Sequence, residues 1–397
     1  MPSDRSPSAW HIITGEYPPQ PGGVSDYCAQ LALALAEAGD EVHVWAPPVG
    51  SNDEHDPRIH VHRLSGRFGP SSLRELSAGL ERAGGPRRLF VQYVASGWGY
   101  RGLNLGLPVW LASRRRDTVW VMFHEYAYPF GPKYSIAQNV LGLVTPIMSA
   151  LTVARSDRVF VSTPAWQGRI PASLRRRLRH PITVLPVPSN VPSGTDPGRT
   201  AAIRSRLMAG GATQIVGHFG TFGPAIAAML SHLLPLVLSP GDRVGLLVGH
   251  GGVEFADRLG RECPGIRSRL VATGGLPLHE VGDHLRACDV LIQPYPDGAS
   301  SRRGSLMAGL RLGMPVATNA GESPEHVFQE DPPAAIASGI SMEALALEAE
   351  RLLGSPSLRA ELGIRAAAVY EARFSLRHTV DLVRRLAADD EEAARPR

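Results

Sequence analysis

Short β-rich apolar runs alternate with longer helical patterns through the first half of this chain, stop at a proline-rich stretch, and then resume. Strand-length runs fall at residues 10–14, 41–46, 59–63, 88–93, 118–123, 158–161 and 182–185, with helical periodicity at 24–38, 71–83 and 134–154 between several of them. Strands joined through helices favour right-handed crossovers and a parallel sheet, which prunes the possible topologies to a few. Residues 186–200, PVPSNVPSGTDPGRT, suit neither a helix nor a central strand and read as an interdomain linker. Beyond it, strands are expected at 215–219, 243–248, 270–272, 290–293 and 315–318, helices at 225–236, 253–263, 279–287 and 303–312, and only helix from Ser341 onward. Two doubly wound α/β units in tandem imply a ligand cleft between the carboxyl ends of two sheets.

Composition narrows the class. With 397 residues, 43% hydrophobic and 20% charged, the chain is neither disordered nor collagen-like and has length for two or three cores. Cys28, Cys263 and Cys288 are far apart and form no CxxC, which argues against a disulfide scaffold or thiolate zinc site and fits a reducing compartment. The start, MPSDRSPSAW, lacks a signal pattern, and no uninterrupted apolar run reaches about 18 residues, so no membrane span is expected. A net charge of +4 does not suggest nucleic acid. The charge is uneven, however: residues 151–190 hold seven arginines (155, 158, 169, 175, 176, 177 and 179) against Asp157. That segment is either a solvated helix face or a surface for phosphates or an anionic membrane.

Three features carry chemistry. After the first strand, Gly22 and Gly23 precede a helix with Val24, Tyr27, Cys28, Leu31 and Leu35 on one face. Two residues without side chains at a helix N-terminus let the backbone approach an anion and aim N–H groups at it; the alternative is a tight turn alone. Glu16 and Asp26 flank this loop. His124 ends an apolar strand and so emerges at the carboxyl end of the sheet, followed by Glu125, Tyr126 and Tyr128. Arg302 and Arg303 lie between Ser300-Ser301 and Gly304, where forked guanidiniums suit bidentate phosphate contact; the alternative is that they flank a helix in solvent.

Together with the loop GEYPPQPGGV, the segments VMFHE, ARSDRVFVS and PSNV resemble the N-terminal half of family-4 retaining glycosyltransferases. VGHFGTFG, LLVGHGG, ATGGLPLHEVGDHLRACDVLIQPYPDG and SLMAGLRLGMPVATNAGESPEHV resemble the second half, and ELGIRAAAVYEARFS the helical tail. The resemblance implies a GT-B fold: an N-terminal Rossmann-like acceptor domain at 1–190, a nucleotide-sugar donor domain at 191–374, and a segment 375–397 whose helix, about 375–388, returns to the first domain before a frayed tail. It implies a His at position 124 beside the transferred sugar and places Glu325 at the family's G-G-x-P-E glutamate, the alternative being a partner for the helix N-terminus. Gly22 and Gly23, with the backbone and hydroxyl donors of Gly220 and Thr221, are the phosphate-side candidates. Glu16, Glu125 and Tyr126 are acceptor candidates. The implied activity is transfer of a hexose from a nucleoside-diphosphate sugar with retention of configuration, without a metal or other cofactor. The acceptor is a small molecule, a glycan or a lipid-linked compound. The expected location is cytoplasmic, with peripheral contact at the inner face of the membrane as an option.

The sequence departs from this family at the donor site. Of the two glutamates that mark it, the first falls on Asp297 and the second on Ser305, which has no carboxylate for the ribose hydroxyls. The Arg and Lys that follow the first strand of the second domain are missing from VGHFGTFGPAIAAML, so Arg302 and Arg303 are read as the relocated phosphate charge. No carboxylate pair suggests a covalent intermediate, and the resemblance implies front-face substitution. These losses also leave open a GT-B protein without catalysis that serves as a binding or partner subunit. A GT-B epimerase or phosphorylase shares the architecture, but a pyridoxal-dependent one would have only Lys133 for its imine.

Overall fold

In the first half every expected apolar run is a strand, and the seven join one parallel sheet. The structure is a computed structural model and describes residues 9–20, 22–50, 55–84, 87–132, 134–321 and 325–393; Lys133 lies outside the described residues. The order along the chain is β1 (Trp10–Thr14), α1 (Gly23–Glu37), β2 (Val42–Ala46), β3 (Ile59–Arg63), α2 (Pro70–Ala83), β4 (Arg88–Val94), α3 (Gly106–Ser113), β5 (Thr118–Glu125), α4 (Ile136–Arg155), β6 (Arg158–Val161), α5 (Pro164–Arg169), α6 (Ala172–Arg175) and β7 (Thr183–Val184). The strands pair as β3-β2-β1-β4-β5-β6-β7. β1, buried at all five positions, is central and covered on both faces, which is why it reads as a continuous apolar run. Trp10, Phe90, Trp120 and Phe160 pack together on one face, with Trp10 and Trp120 edge to face at 5.5 Å between ring centroids. Ile13, Val91, Val121, Tyr93 and Phe123 fill the other.

The second half repeats the plan with α7 (Pro197–Met208), β8 (Gln214–Phe219), α8 (Pro224–Val237), β9 (Arg243–Val248), α9 (Gly252–Glu262), β10 (Leu270–Gly274), α10 (Leu278–Arg286), β11 (Val290–Gln293), α11 (Gly304–Arg311), β12 (Val316–Asn319), α12 (Val327–Glu330), β13 (Ala335–Ala337), α13 (Met342–Leu353), α14 (Pro356–Arg373) and α15 (Leu376–Ala393). Its parallel sheet runs β10-β9-β8-β11-β12-β13. The chain is therefore α/β with two Rossmann-like parallel-sheet units. β13, three residues long, was not expected, because so short a strand has no period to read.

The described residues fall into two units: residues up to Pro186 together with those from Thr379 onward, and Val187–His378. The linker is shorter than its prolines suggest. Asp196 caps α7 by accepting from the N–H groups of Gly198 (2.9 Å) and Arg199 (3.1 Å), and Pro197 takes the first helical position, where its missing N–H costs nothing. The second unit begins at Val187 because the next residues are bound to it: Ser189 N–H donates to the Tyr370 hydroxyl (3.0 Å) and Arg311 donates to Ser189 O (2.9 Å).

α15 is tied to the first unit by its charged side chains as well as its apolar face. Val380, Val383 and Ala387 are buried. The Arg158 guanidinium donates in a fork to Asp390, at 2.9 and 2.6 Å, Arg88 reaches Glu391 at 2.7 Å, and Arg384 reaches Asp40 at 3.0 Å.

Candidate functional site

In the first unit, the carboxyl ends of β1, β4 and β5 bring together Glu16, the α1 N-terminus, Gln92 and His124. The Glu16 carboxylate accepts from Ser25 N–H at 3.1 Å. A Cβ on Gly22 would meet that same carboxylate, the mobile end of the Glu16 side chain. The protein's own Glu16 carboxylate thus sits at the positive end of the helix beside Gly22, while the space around Gly23 is open. The Glu16 carboxylate caps the first turn of α1.

His124 Nε2 lies 3.0 Å from Gln92 Oε1, and its ring packs edge-on against Tyr27 at 4.9 Å. Burial lowers its pKa to about 3, so the imidazole is neutral at neutral pH. With Nε2–H donating to Gln92, Nδ1 is left as the acceptor. Glu125 is exposed beside it. Tyr126 is not available to an acceptor. It is 3% exposed, packs on Phe123 in the core, and burial pushes its hydroxyl pKa up to about 12. The next loop carries Tyr126 inward because its carbonyl accepts from buried Ser149 on α4.

The second unit assembles its counterpart at the ends of β8, β11 and β12. Between β11 and α11 the loop 294–303 is held by two residues downstream. Asn319 brackets Tyr295, accepting from its N–H at 2.8 Å and donating to its carbonyl at 2.9 Å. Glu325 accepts from Ser301 N–H (2.9 Å) and from the Ser301 hydroxyl (3.0 Å). Glu325 thus fastens the loop through Ser301. Gly220 also departs from expectation, since its N–H donates to Val248 O at 3.0 Å and is not free for a phosphate. Thr221 is exposed next to it.

Within the loop, Arg302 and Arg303 both pair with Asp297. The two arginines therefore do not present a bare double positive charge; with Asp297 they carry a net +1. Arg303 also lies 4.8 Å over the Tyr295 ring, and the Tyr295 hydroxyl is 2.8 Å from Ser305 Oγ. His218, 2% exposed, donates from Nδ1 to Ile292 O at 2.9 Å, and burial lowers its pKa to about 4. A Cβ on Gly220 would lie 3.7 Å from His218 Nε2 and 3.8 Å from Ser305 Oγ, which puts both side chains around one small space. His218 Nε2, both amide atoms of Gln293, Ser300 Oγ and Arg303 Nε are buried without a hydrogen-bond partner among the described residues. Buried polar groups are usually satisfied, so this grouping makes the carboxyl ends of β8 and β11 the candidate ligand-binding surface. Sequence reasoning missed His218 and Gln293. Their signal was a polar residue at the end of each apolar strand.

Residues 22–188 match the family model described as a glycosyl transferase 4-like domain. That segment of the chain is similar to such a domain. Solved structures share the fold over the whole chain. Sucrose-phosphate synthase from Thermosynechococcus elongatus is 18% identical, with 98% of this chain and 100% of that one covered at a TM-score of 0.70. A glycosyltransferase from Rickettsia africae is 13% identical, with 98% and 100% covered at 0.69. Anabaena HepE in complex with UDP and glucose is 17% identical, with 95% and 99% covered at 0.64. No curated protein matches the sequence. The matched segment includes His124 and its surroundings, and the second unit repeats the Rossmann-like parallel sheet seen throughout these GT-B neighbours.

Proposed function

We propose that the protein transfers a hexose from a nucleoside-diphosphate sugar to an acceptor hydroxyl, with retention of configuration. The observation that carries this reading is the cluster of unpartnered buried groups at His218, Gln293, Ser300 and Arg303 beside the Asp297–Arg302–Arg303 trio. Neutral acceptors and donors suit a base and ribose, and the paired guanidiniums suit a diphosphate. The presence of UDP and glucose in HepE, which shares the fold, is consistent with this ligand class. In this reading the sugar C1–oxygen bond to phosphate breaks as the acceptor oxygen bonds to C1 on the same face. The acceptor proton passes to the departing phosphate oxygen. Arg302 and Arg303 stabilise the charge that grows on the diphosphate, so the route is drawn without a metal ion. Neutral His124, with Nδ1 as acceptor, would position a hydroxyl rather than take up a proton at neutral pH.

Thermal unfolding with UDP, GDP, ADP and TDP tests the donor reading, because a ligand that binds the folded state raises its apparent stability. One of the four should raise the melting temperature, and its sugar conjugate should give a product with the donor's anomeric configuration by NMR. No shift with any of them would leave the chain as a GT-B binding subunit without catalysis.

A further inference from the structure

α4 presents its large apolar residues outward. Ile136, Val140, Leu143, Ile147 and Leu151 recur at helical spacing along one side and are 86%, 41%, 60%, 56% and 44% exposed. The side facing the sheet is lined instead by Gly142, Thr145, Ser149 and Thr152, with Met148 and Val153. A helix on a water-exposed surface normally has the reverse arrangement. Neighbouring segments extend the patch. Gly102 abuts Leu141 and carries the turn that exposes Tyr100 and Leu103, Gly142 abuts Phe130, and Val109 is exposed on α3, which packs against α4.

Arginine outnumbers carboxylate around the patch. Residues 96–116 and 126–156 contain no carboxylate, and neither does 158–182. Of the seven arginines in 151–190, Arg155 pairs with Asp157 and Arg158 with Asp390, while Arg169, Arg175, Arg176, Arg177 and Arg179 are exposed. At the C-terminal end of α4 a cavity of about 780 Å³ is lined by Arg115, Arg116, Arg155, Arg177 and Arg179. Its three carboxylates, Asp117, Asp157 and Asp390, are each already ion-paired.

We propose that the first unit seats on an anionic lipid bilayer, with the α4 stripe inserted at the headgroup boundary and the arginine-lined cavity taking lipid phosphate. The charge selects this occupant. A second copy bringing the same face would set arginines against arginines, whereas an anionic surface complements them. α4 is long and apolar enough by length and composition to cross a membrane, but its inner side is packed and hydrogen-bonded to the unit. It therefore lies on the bilayer as an interfacial helix. This goes beyond the transfer reading and holds whatever sugar or acceptor is used.

Sedimentation of the full chain with vesicles tests it. The parent should bind phosphatidylcholine vesicles containing phosphatidylglycerol, and binding should weaken as salt rises. L143Q/I147Q changes two side chains that already face solvent, so its melting temperature should match the parent's, while its partition onto the same vesicles should fall roughly tenfold or more. R115Q/R177Q should remove most of the preference for phosphatidylglycerol over pure phosphatidylcholine. Absence of binding to either vesicle overturns the proposal, as does equal binding by parent and L143Q/I147Q. So does a parent dimer in sedimentation velocity that L143Q/I147Q dissociates, since a second copy would then cover the stripe. Nucleotide-induced thermal shifts need no vesicle, so failure here leaves the transfer reading intact, and the reverse.

Discussion

Asp297 lies between two guanidiniums that would otherwise face a ligand, and this arrangement makes opposite predictions for binding and turnover. Replacing it with Asn frees Arg302 and Arg303 and changes the local charge from +1 to +2. Affinity for the nucleoside diphosphate should rise by roughly two- to fivefold, the scale of a partly exposed ion pair. Turnover should fall instead, because the loop loses the group that orients both arginines. Calorimetry and initial rates on Asp297→Asn separate the two, and a drop in diphosphate affinity would refute the competition. The arginines themselves should differ. Arg303 is the more buried and is stacked on Tyr295, so Arg303→Ala should cost roughly tenfold in diphosphate affinity, a charged hydrogen bond's worth, and Arg302→Ala less. Equal losses would show that the stacking does not matter. Because Asp297, Arg302 and Arg303 lie within seven residues, their grouping could be read directly from sequence, but their mutual pairing could not.

At the scale of elements, α15 shows how a terminal helix is fixed. Its apolar face is modest, and the forked Arg158–Asp390 pair, with Arg158 also 5.7 Å over the Trp120 ring, supplies direction. Asp390→Asn leaves a mostly buried guanidinium without its carboxylate and should lower stability by about 2–3 kcal/mol. Limited proteolysis should then cut α15 before the rest of the chain. If the variant resists as well as the parent, the apolar face alone holds the helix. The pair joins residues 232 apart in sequence, which is why no local pattern announced it.

Across the whole molecule, four histidines are kept neutral. Burial chiefly lowers His11, His62 and His218 to about 4 and His124 to about 3. For His11 and His62 the neighbouring His43 adds to the effect, within a ladder of rings on β1, β2 and β3: His11 and His60 stack on His43 at 4.8 and 4.9 Å. A depressed histidine pKa means that the unfolded chain takes up the proton first. The stabilisation is therefore full above the unfolded value near 6.5 and is lost progressively as pH falls toward the folded values. Each such proton can add a slope of up to about 1.4 kcal/mol per pH unit. Denaturant melts between about pH 7 and pH 5 should show falling stability, and His124→Asn should flatten that slope. Stability that stays level over this range would contradict the burial of these rings. His124 itself was legible as a strand-end residue, but its neutral state was not.

The sequence by itself determined the two parallel sheets. Alternating apolar runs and helical periods are local, and all twelve expected strands formed because each carries its own signal. It also placed His124 and the 294–303 loop, since both follow directly from strand ends. What required the tertiary structure was every assignment that depends on a partner far along the chain. Gly22 faces Glu16 across a turn, Glu325 holds Ser301 from 24 residues away, and Tyr126 turns inward to meet Ser149. The orientation of α4 belongs here too. Its sequence is apolar nearly all round, and only packing decided that Thr145, Ser149 and Thr152 would face inward, where Ser149 donates to Tyr126 O and Thr145 accepts from Tyr128 N–H, while the larger aliphatic side chains face out. Hydrophobic periodicity tells where a helix is, but the hydrogen bonds its neighbours offer decide which side is inside.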